Sequence, residues 1–266
     1  KHLLPVYDKP MIYYPLSTLM LSGIRDIIII SSPDALPQFK RLLGDGSRWG
    51  VTFSYLEQTA PRGIAECFRI AQDAIQGHNV ALMLGDNIFY ADRLGAKIEA
   101  ALESNEGATI FACEVSDPTA FGVVELDAEG RPISLEEKPA KPRTNLAVPG
   151  LYCYDQRVSD IAWKLKPSAR GELEITDVNR TYLDMGQLKV QTFGRGMAWL
   201  DGGTHAALYD ASQFIKVVEE RTGLKIACPE EIAFRRGYIN AADLRRIAGG
   251  STDYMRYLQV LADRGA

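Results

Sequence analysis

Short apolar runs alternate with helical stripes through the first 115 residues, and that alternation leaves few folds open to the chain. Arg25 to Ser31, Val51 to Leu56, Val80 to Met83 and Ala108 to Val115 read as strands, and the apolar runs among them suit strands covered on both faces. Helices are expected between them. Pro10 to Gly23 carries the stripe Ile12, Leu16, Leu19 and Met20; Pro37 to Leu43 follows; Gly63 to Ile75 uses Ala65, Phe68, Ala71, Ala74 and Ile75; Leu94 to Glu103 completes the set. The pattern predicts an α/β fold with a mostly parallel, doubly wound central sheet flanked by helices. Beyond Val115 the rhythm changes. Gly122 to Leu126, Ile133 to Glu137 and Ala147 to Tyr154 are strands joined by short turns, so antiparallel pairs are expected. Helices at Val158 to Leu165 and Ile175 to Met185, a strand at Lys189 to Phe193 and a long helix from Thr204 to about Arg221 follow. This body spans residues 1–228. A helical tail, 229–266, packs on it or builds a subunit contact.

Composition narrows the partners. A net charge of −4 gives no general attraction for nucleic acid or anionic membrane, so an anionic ligand needs local cations or a metal. The apolar run Ile27 to Ile30 is too short to span a bilayer, and no signal peptide opens the chain. Cys67, Cys113, Cys153 and Cys228 show no C-x-x-C spacing and read as reduced core residues, which suits the cytoplasm. With only His2, His78 and His205 present, a histidine-built zinc site or a Ser-His-Asp triad is not expected. The chain opens at Lys1 without the strand that normally begins such a domain, and a preceding strand and loop are expected.

The chemistry gathers at strand ends. Val80 to Met83 runs into Leu84-Gly85-Asp86-Asn87, which places a carboxylate at the carboxyl edge of a sheet, where open α/β folds bind ligands. Trp199-Leu200-Asp201-Gly202-Gly203 does the same downstream. Each aspartate alone reads equally as a turn former or a helix cap; as a pair they suit one hard cation on phosphate oxygens. Gln58 to Gly63 joins a strand to a helix, and a glycine there lets backbone N–H groups approach an anion or a base edge. Glu136-Glu137-Lys138-Pro139 is either a solvated turn or a site in which Glu137 binds sugar hydroxyls and Lys138 a phosphate. In Ser168 to Asp177 the acids cap a helix, which leaves Arg170 to reach an anion. A phosphate monoester nucleophile is largely ionised at neutral pH, its second pKa being about 6. Such a reaction needs cations, a metal and alignment, and no histidine base.

These residues together resemble the sugar-1-phosphate nucleotidylyltransferases, most closely the thymidylyltransferases that act on glucose 1-phosphate. The resemblance covers essentially the whole chain, through Leu3 to Ser17, Leu42 to Gly46, Leu84 to Tyr90, Ser134 to Pro139, Lys166 to Asp177 and Cys228 to Arg235. It implies a Rossmann-like nucleotidyltransferase fold, a homotetramer, and Mg²⁺-dependent transfer from dTTP to glucose 1-phosphate giving dTDP-glucose and pyrophosphate. It further implies that Asp86 and Asp201 hold the metal and that Gln58 and Gly63 contact thymine. Gly122, Glu137, Val148 and Trp199 then line the glucose pocket, while Lys138 and Arg170 bind the sugar phosphate. A dTDP-sugar end product acting as an allosteric inhibitor also belongs to the resemblance, at a place the residues do not reveal.

The chain departs from the family pattern at several points. The Gly-rich loop with its catalytic arginine is absent, His2 stands for a usual Gln, Arg62 for Asp, Gly202 for Thr and Phe121 for Tyr. Two other readings stay open on sequence alone: an enzyme for UTP or another sugar phosphate, including a glycosyltransferase of similar architecture, and a non-catalytic nucleotide-sugar binder.

Overall fold

The fold was obtained as a computed structural model, which describes residues 1–103 and 106–265. A short hairpin, β1 (Pro5–Val6) and β2 (Lys9–Pro10), leads into α1 (Tyr13–Leu21). Then come β3 (Asp26–Ser31), α2 (Leu36–Leu43), β4 (Thr52–Glu57), two short helices α3 (Glu66–Ile70) and α4 (Gln72–Ile75), β5 (Val80–Met83), β6 (Asn87–Tyr90) and α5 (Leu94–Glu103). The second half holds β7 (Ala108–Glu114), β8 (Gly122–Leu126), β9 (Pro132–Glu137), β10 (Leu146–Val148), β11 (Leu151–Tyr154), α6 (Val158–Lys164), α7 (Ile175–Asp184), β12 (Leu188–Thr192) and β13 (Ala198–Asp201). Four helices close the chain: α8 (His205–Thr222), α9 (Pro229–Arg235), α10 (Ala241–Ile247) and α11 (Asp253–Arg264).

The α/β architecture expected from the alternation is what forms. β3 and β4 pair in parallel, and so do β7 and β12. β11 lies antiparallel between β5 and β7, so β5, β7 and β12 share one direction with a single reversed strand among them. The sheet then continues through β10, β8 and β9 by antiparallel pairing, as the short turns predicted.

Two expected elements are broken. The stretch 147–154 is one strand along β7 with a bulge at Pro149-Gly150, since Ala147 faces Cys113 while Tyr152 faces Ile110. Pro149 has no N–H to give a ladder, and a Cβ on Gly150 would lie 2.5 Å from the Leu84 side chain. The helix expected over 63–75 begins only at Glu66 and is interrupted at Ala71. Gly63 keeps a left-handed φ of 98°, and Leu173 occupies the space beside it. The hairpin β1–β2 and strand β6 were not anticipated, being too short to show a period.

The helix stripes bury as the spacing requires. Ile12, Tyr13, Leu16 and Met20 share one core with Phe39, Trp49 and Phe53 and with Cys228, Ile232, Leu244 and Leu258 from the closing segment. A second core lies under the sheet, where Phe68, Ile110, Tyr154, Ile161, Val178 and Tyr182 pack. α8 starts at Thr204, whose hydroxyl accepts from Ala207 N at 3.1 Å, and ends at Gly223 with φ 70°. No helix among the described residues is long and apolar enough to cross a membrane. The cysteines are unpaired, and burial pushes the thiols of Cys67, Cys113 and Cys153 up to about 12.

Asp155 is the buried charge that this core is built to hold. Its carboxylate accepts from Gly107 N and Tyr182 Oη, both at 2.8 Å, and from Arg157 N at 3.0 Å and Nε at 2.9 Å. Burial alone would raise its pKa; these donors outweigh burial and hold it below the ordinary value. With the folded value depressed, the stabilisation is complete above the unfolded value near 3.8 and is lost as pH falls through the folded one. Asp155→Ala is expected to cost about 3 kcal/mol in urea unfolding at pH 7. The same variant should show a much smaller loss of stability between pH 5 and pH 3 than the parent, read from the denaturation midpoints at each pH.

Candidate active site

Asp86 sits in the turn between β5 and β6, at the carboxyl end of β5 as the sequence pattern requires. β6 pairs antiparallel with β13, in a register that sets Asp201 opposite Asn87, and Gly202 N donates to Asp86 O at 2.8 Å. The two aspartates thus come to neighbouring positions from residues 115 apart in sequence (201 minus 86). Gly202 lies against the end of the Met11 side chain: a Cβ there would stand 2.3 Å from Met11 Cε, which would have to move aside.

The carboxylate of Asp86 is oriented from two sides. Asn87 Nδ2 donates to its Oδ1 at 3.0 Å, and Lys1 Nζ lies 2.5 Å from its Oδ2. Burial would raise the Asp86 pKa, but Lys1, Asn87 and the nearby His2 more than offset it and keep the group ionised. His2, with its ring against Gly85, is held below the ordinary histidine value chiefly by burial, against the pull of Asp86. Neither Lys1 nor Asn87 was singled out from sequence. Asn87 follows the carboxylate directly, and Lys1 stands at the first position, where no pattern surrounds it.

The donor set suits a hard divalent cation. Asp86 and Asp201 offer oxygen ligands, and no group of three or more His, Cys, Asp or Glu side chains able to hold a metal occurs among the described residues. Two carboxylates that leave the rest of the shell to water and phosphate oxygens match Mg²⁺ coordination better than zinc.

The residues expected to line a sugar pocket form a row across the antiparallel strands. Val148 on β10 faces Gly122 on β8, which faces Glu137 on β9. A Cβ on Gly122 would stand 3.5 Å from Glu137 Oε2 and 3.4 Å from Thr176 Oγ1, so glycine keeps this hollow open. Thr176, missed from sequence, donates to Glu137 Oε2 at 2.5 Å. Trp199 joins the row through Phe121, with ring centroids 4.7 Å apart, and its Nε1 donates to Asn87 Oδ1 at 2.7 Å. Lys138 follows β9 with φ 44°, a conformation uncommon outside glycine, and its N–H donates to Phe121 O at 3.0 Å. Its side chain makes no ion pair among the described residues.

Arg170 differs from expectation. The acids around it, expected to cap α7, hold no backbone N–H of that helix and turn to Arg170 instead. Glu174 is the N-cap residue but accepts no helix N–H; its carboxylate takes Arg170 Nη2 at 2.8 Å and Ser168 Oγ at 2.7 Å. Glu172 stands 3.5 Å and Glu137 3.9 Å from the same guanidinium. Arg170 is therefore held by carboxylates, in the turn that leads into α7.

Gln58 lines the other side; Gly63 is not among the residues lining it. A cleft of about 920 Å³ runs between β3 and β5, with His2, Gln58, Gly85 and Asp86 among its lining residues. Gly63 is pressed against Leu173, where a Cβ would meet Leu173 O at 2.3 Å. Leu173 N donates to Arg62 O, and Ala65 N to Leu173 O, which ties this loop to the Arg170 segment.

The profile of the nucleotidyl transferase family matches residues 1–217. A glucose-1-phosphate thymidylyltransferase of Xanthomonas campestris pv. campestris (strain B100) is 53% identical, covering 100% of this chain and 91% of its own length. That of Mycolicibacterium smegmatis is 53% identical over 99% of this chain and 92% of its own. Among solved structures, a Bacillus anthracis protein described as a glucose-1-phosphate thymidylyltransferase in complex with sucrose superposes with a TM-score of 0.75 at 39% identity, covering 80% of this chain and 85% of that one. A UDP-glucose pyrophosphorylase bound to UDP-glucose shares the fold, with a TM-score of 0.69 at 22% identity over 82% of this chain and 90% of its own. The chain belongs to the nucleotidyl transferase family, among the glucose-1-phosphate thymidylyltransferases.

Proposed function

We propose that this chain transfers a thymidylyl group from dTTP to α-D-glucose 1-phosphate, releasing pyrophosphate and dTDP-glucose in a single displacement. The observation that carries the reading is the alignment of Val148, Gly122 and Glu137 in one row, next to the strand pair that brings Asp86 and Asp201 together. A phosphate oxygen of glucose 1-phosphate attacks the α-phosphorus of dTTP. The bond between that phosphorus and its bridging oxygen breaks, and the electron pair leaves with pyrophosphate. No proton need be removed from the nucleophile, which is already ionised.

In this reading Glu137, oriented by Thr176, accepts hydrogen bonds from sugar hydroxyls, and Trp199 with Val148 walls the pocket. Lys138 takes the sugar phosphate as a point charge, and Arg170 exchanges a carboxylate partner for it. Gln58 and Gly63 read the base. Lys1 supplies a cation beside Asp86, where phosphate charge gathers. Asp86 and Asp201 would hold Mg²⁺, which when bound neutralises phosphate charge and aligns the oxygens. Residues 1–228 form the catalytic body and 229–266 a tail packed on it. We place the enzyme in the cytoplasm as a homotetramer, with the exposed apolar side chains of Tyr209, Val217 and Leu224 available for subunit contacts. A dTDP-sugar end product acting as inhibitor completes the proposal.

A pyrophosphate-release assay of each nucleoside triphosphate against glucose 1-phosphate tests the reaction; dTTP should be turned over fastest, and an enzyme selective for another triphosphate defeats the reading. Asp86→Asn should lower kcat by about 100-fold or more while leaving the circular dichroism spectrum unchanged. Activity should vanish on chelation and return with Mg²⁺. Lys138→Ala is expected to raise KM for glucose 1-phosphate by about tenfold and that for dTTP far less; equal effects on both substrates would remove Lys138 from the sugar-phosphate site. Native mass measurement should give four copies, and a monomer would refute the assembly.

A further inference from the structure

Gln58 continues the β3–β4 ladder, its N–H donating to Ser31 O at 2.9 Å, and its side chain lines the cleft beside Gly85 and Asp86. The side-chain nitrogen of Gln58 donates twice, to Gly63 O at 3.1 Å and to Glu66 Oε2 at 2.8 Å. Both partners can only accept, so chemistry settles which end of the amide is nitrogen. Glu66 is itself buried, 8% exposed, and its second oxygen accepts from Arg62 Nε at 2.6 Å. The guanidinium compensates the buried charge and stops the carboxylate from turning away. Arg62, Glu66 and Gln58 thus form a relay in which the central carboxylate accepts from both sides, one oxygen from Arg62 and the other from Gln58. Among the described residues no hydrogen bond is donated to Gln58 Oε1, the atom left for a ligand.

An amide oxygen held in this way recognises an N–H in the plane of a base. Thymine and uracil present N3–H; cytosine presents an unprotonated N3, which would oppose one lone pair with another. We propose that Glu66 is a positioning residue for base choice: by pinning the Gln58 amide it makes Oε1 a fixed acceptor that selects imide pyrimidines over cytosine. This rests on the reading of the cleft as the nucleotide site.

The relay makes an unusual demand on its own variants. In Glu66→Gln, the carbonyl of the new side chain stays on Arg62 and its NH₂ opposes the NH₂ of Gln58. A flip of Gln58 would relieve that clash only by setting its Oε1 against Gly63 O, so neither orientation is pinned and Oε1 is no longer a fixed acceptor. Adding Arg62→Asp reverses this: the introduced carboxylate accepts from the NH₂ of the introduced amide, whose carbonyl then accepts from Gln58 again. Calorimetric Kd values for dTTP and dCTP on the full chain read the result directly. The dTTP preference should fall at least about tenfold in Glu66→Ala and in Glu66→Gln. In the double variant R62D/E66Q it should return to within about threefold of the parent. A merely structural role would weaken both nucleotides alike and leave their ratio unmoved. An unmoved ratio in the single variants, or a lost ratio that the double variant does not restore, overturns the proposal. The reaction itself is read separately. A parent chain that prefers dTTP and loses the preference in Glu66→Ala, yet makes no dTDP-glucose, refutes the proposed activity and leaves the positioning role standing.

Discussion

The site depends on how one buried amide divides its hydrogen bonds. Asn87, 4% exposed, accepts at Oδ1 from Gly150 N at 3.0 Å and from Trp199 Nε1 at 2.7 Å, and donates from Nδ2 to Asp86 at 3.0 Å. An asparagine can do this because its two ends have opposite polarity; an aspartate would repel Asp86, and a leucine would leave an indole N–H and a backbone N–H without partners. Three regions far apart in sequence take their relative positions from this side chain. The bulge on the β10–β11 strand, the pocket tryptophan on β13 and the candidate metal carboxylate all meet there.

Around that hub, glycines decide what can approach what. Gly150 admits Leu84, Gly202 admits Met11, and Gly122 leaves a hollow in front of Glu137 and Thr176. The mixed sheet makes this economical. Because β11 and β10 form one strand with a bulge, the same segment pairs with β5 below it and with β8 above it. Val148 and Gly150, two residues apart, therefore serve different parts of the candidate site, one in the sugar row and one bracing the aspartate turn.

Much of this was legible beforehand, for identifiable reasons. Strands such as Asp26–Ser31 and helices such as His205–Thr222 were visible because periodicity, β-branching and caps agreed. Asp86, Asp201 and the Glu137-Lys138 pair could be found because charged residues at strand ends interrupt apolar runs. What escaped detection depends on partners rather than on pattern. Asn87 and Thr176 look like ordinary polar residues until the strand pairing and the packing of α7 bring their partners to them. The late start of α3 and the bulge at Pro149-Gly150 come with tertiary crowding by Leu173 and Leu84, which local propensity does not report. Arg170 looked free because the sequence shows its neighbours but not the rotamers that draw Glu174 onto it.

The hairpin before α1 carries a consequence of its own. Lys9, 3% exposed, places its ammonium 2.8 Å from Glu219 and 2.5 Å from Asp8, while Lys225 reaches the same two carboxylates. Two cations and two anions cancel here; the buried Lys9–Glu219 pair is hardly screened by added salt, while Asp8 and Lys225 stand nearer the surface. The quartet rivets β1–β2 to the end of α8, and α8 begins only four residues after Asp201. Lys1 and His2 lie at one end of the riveted hairpin and Asp201 lies ahead of the riveted helix. The two sides of the candidate metal site are thereby referenced to a common anchor at the far end of α8, much as two jaws are set by one hinge pin. Ionic strength that loosens the exposed pairs would leave that anchor, and so the gap between the jaws, unchanged.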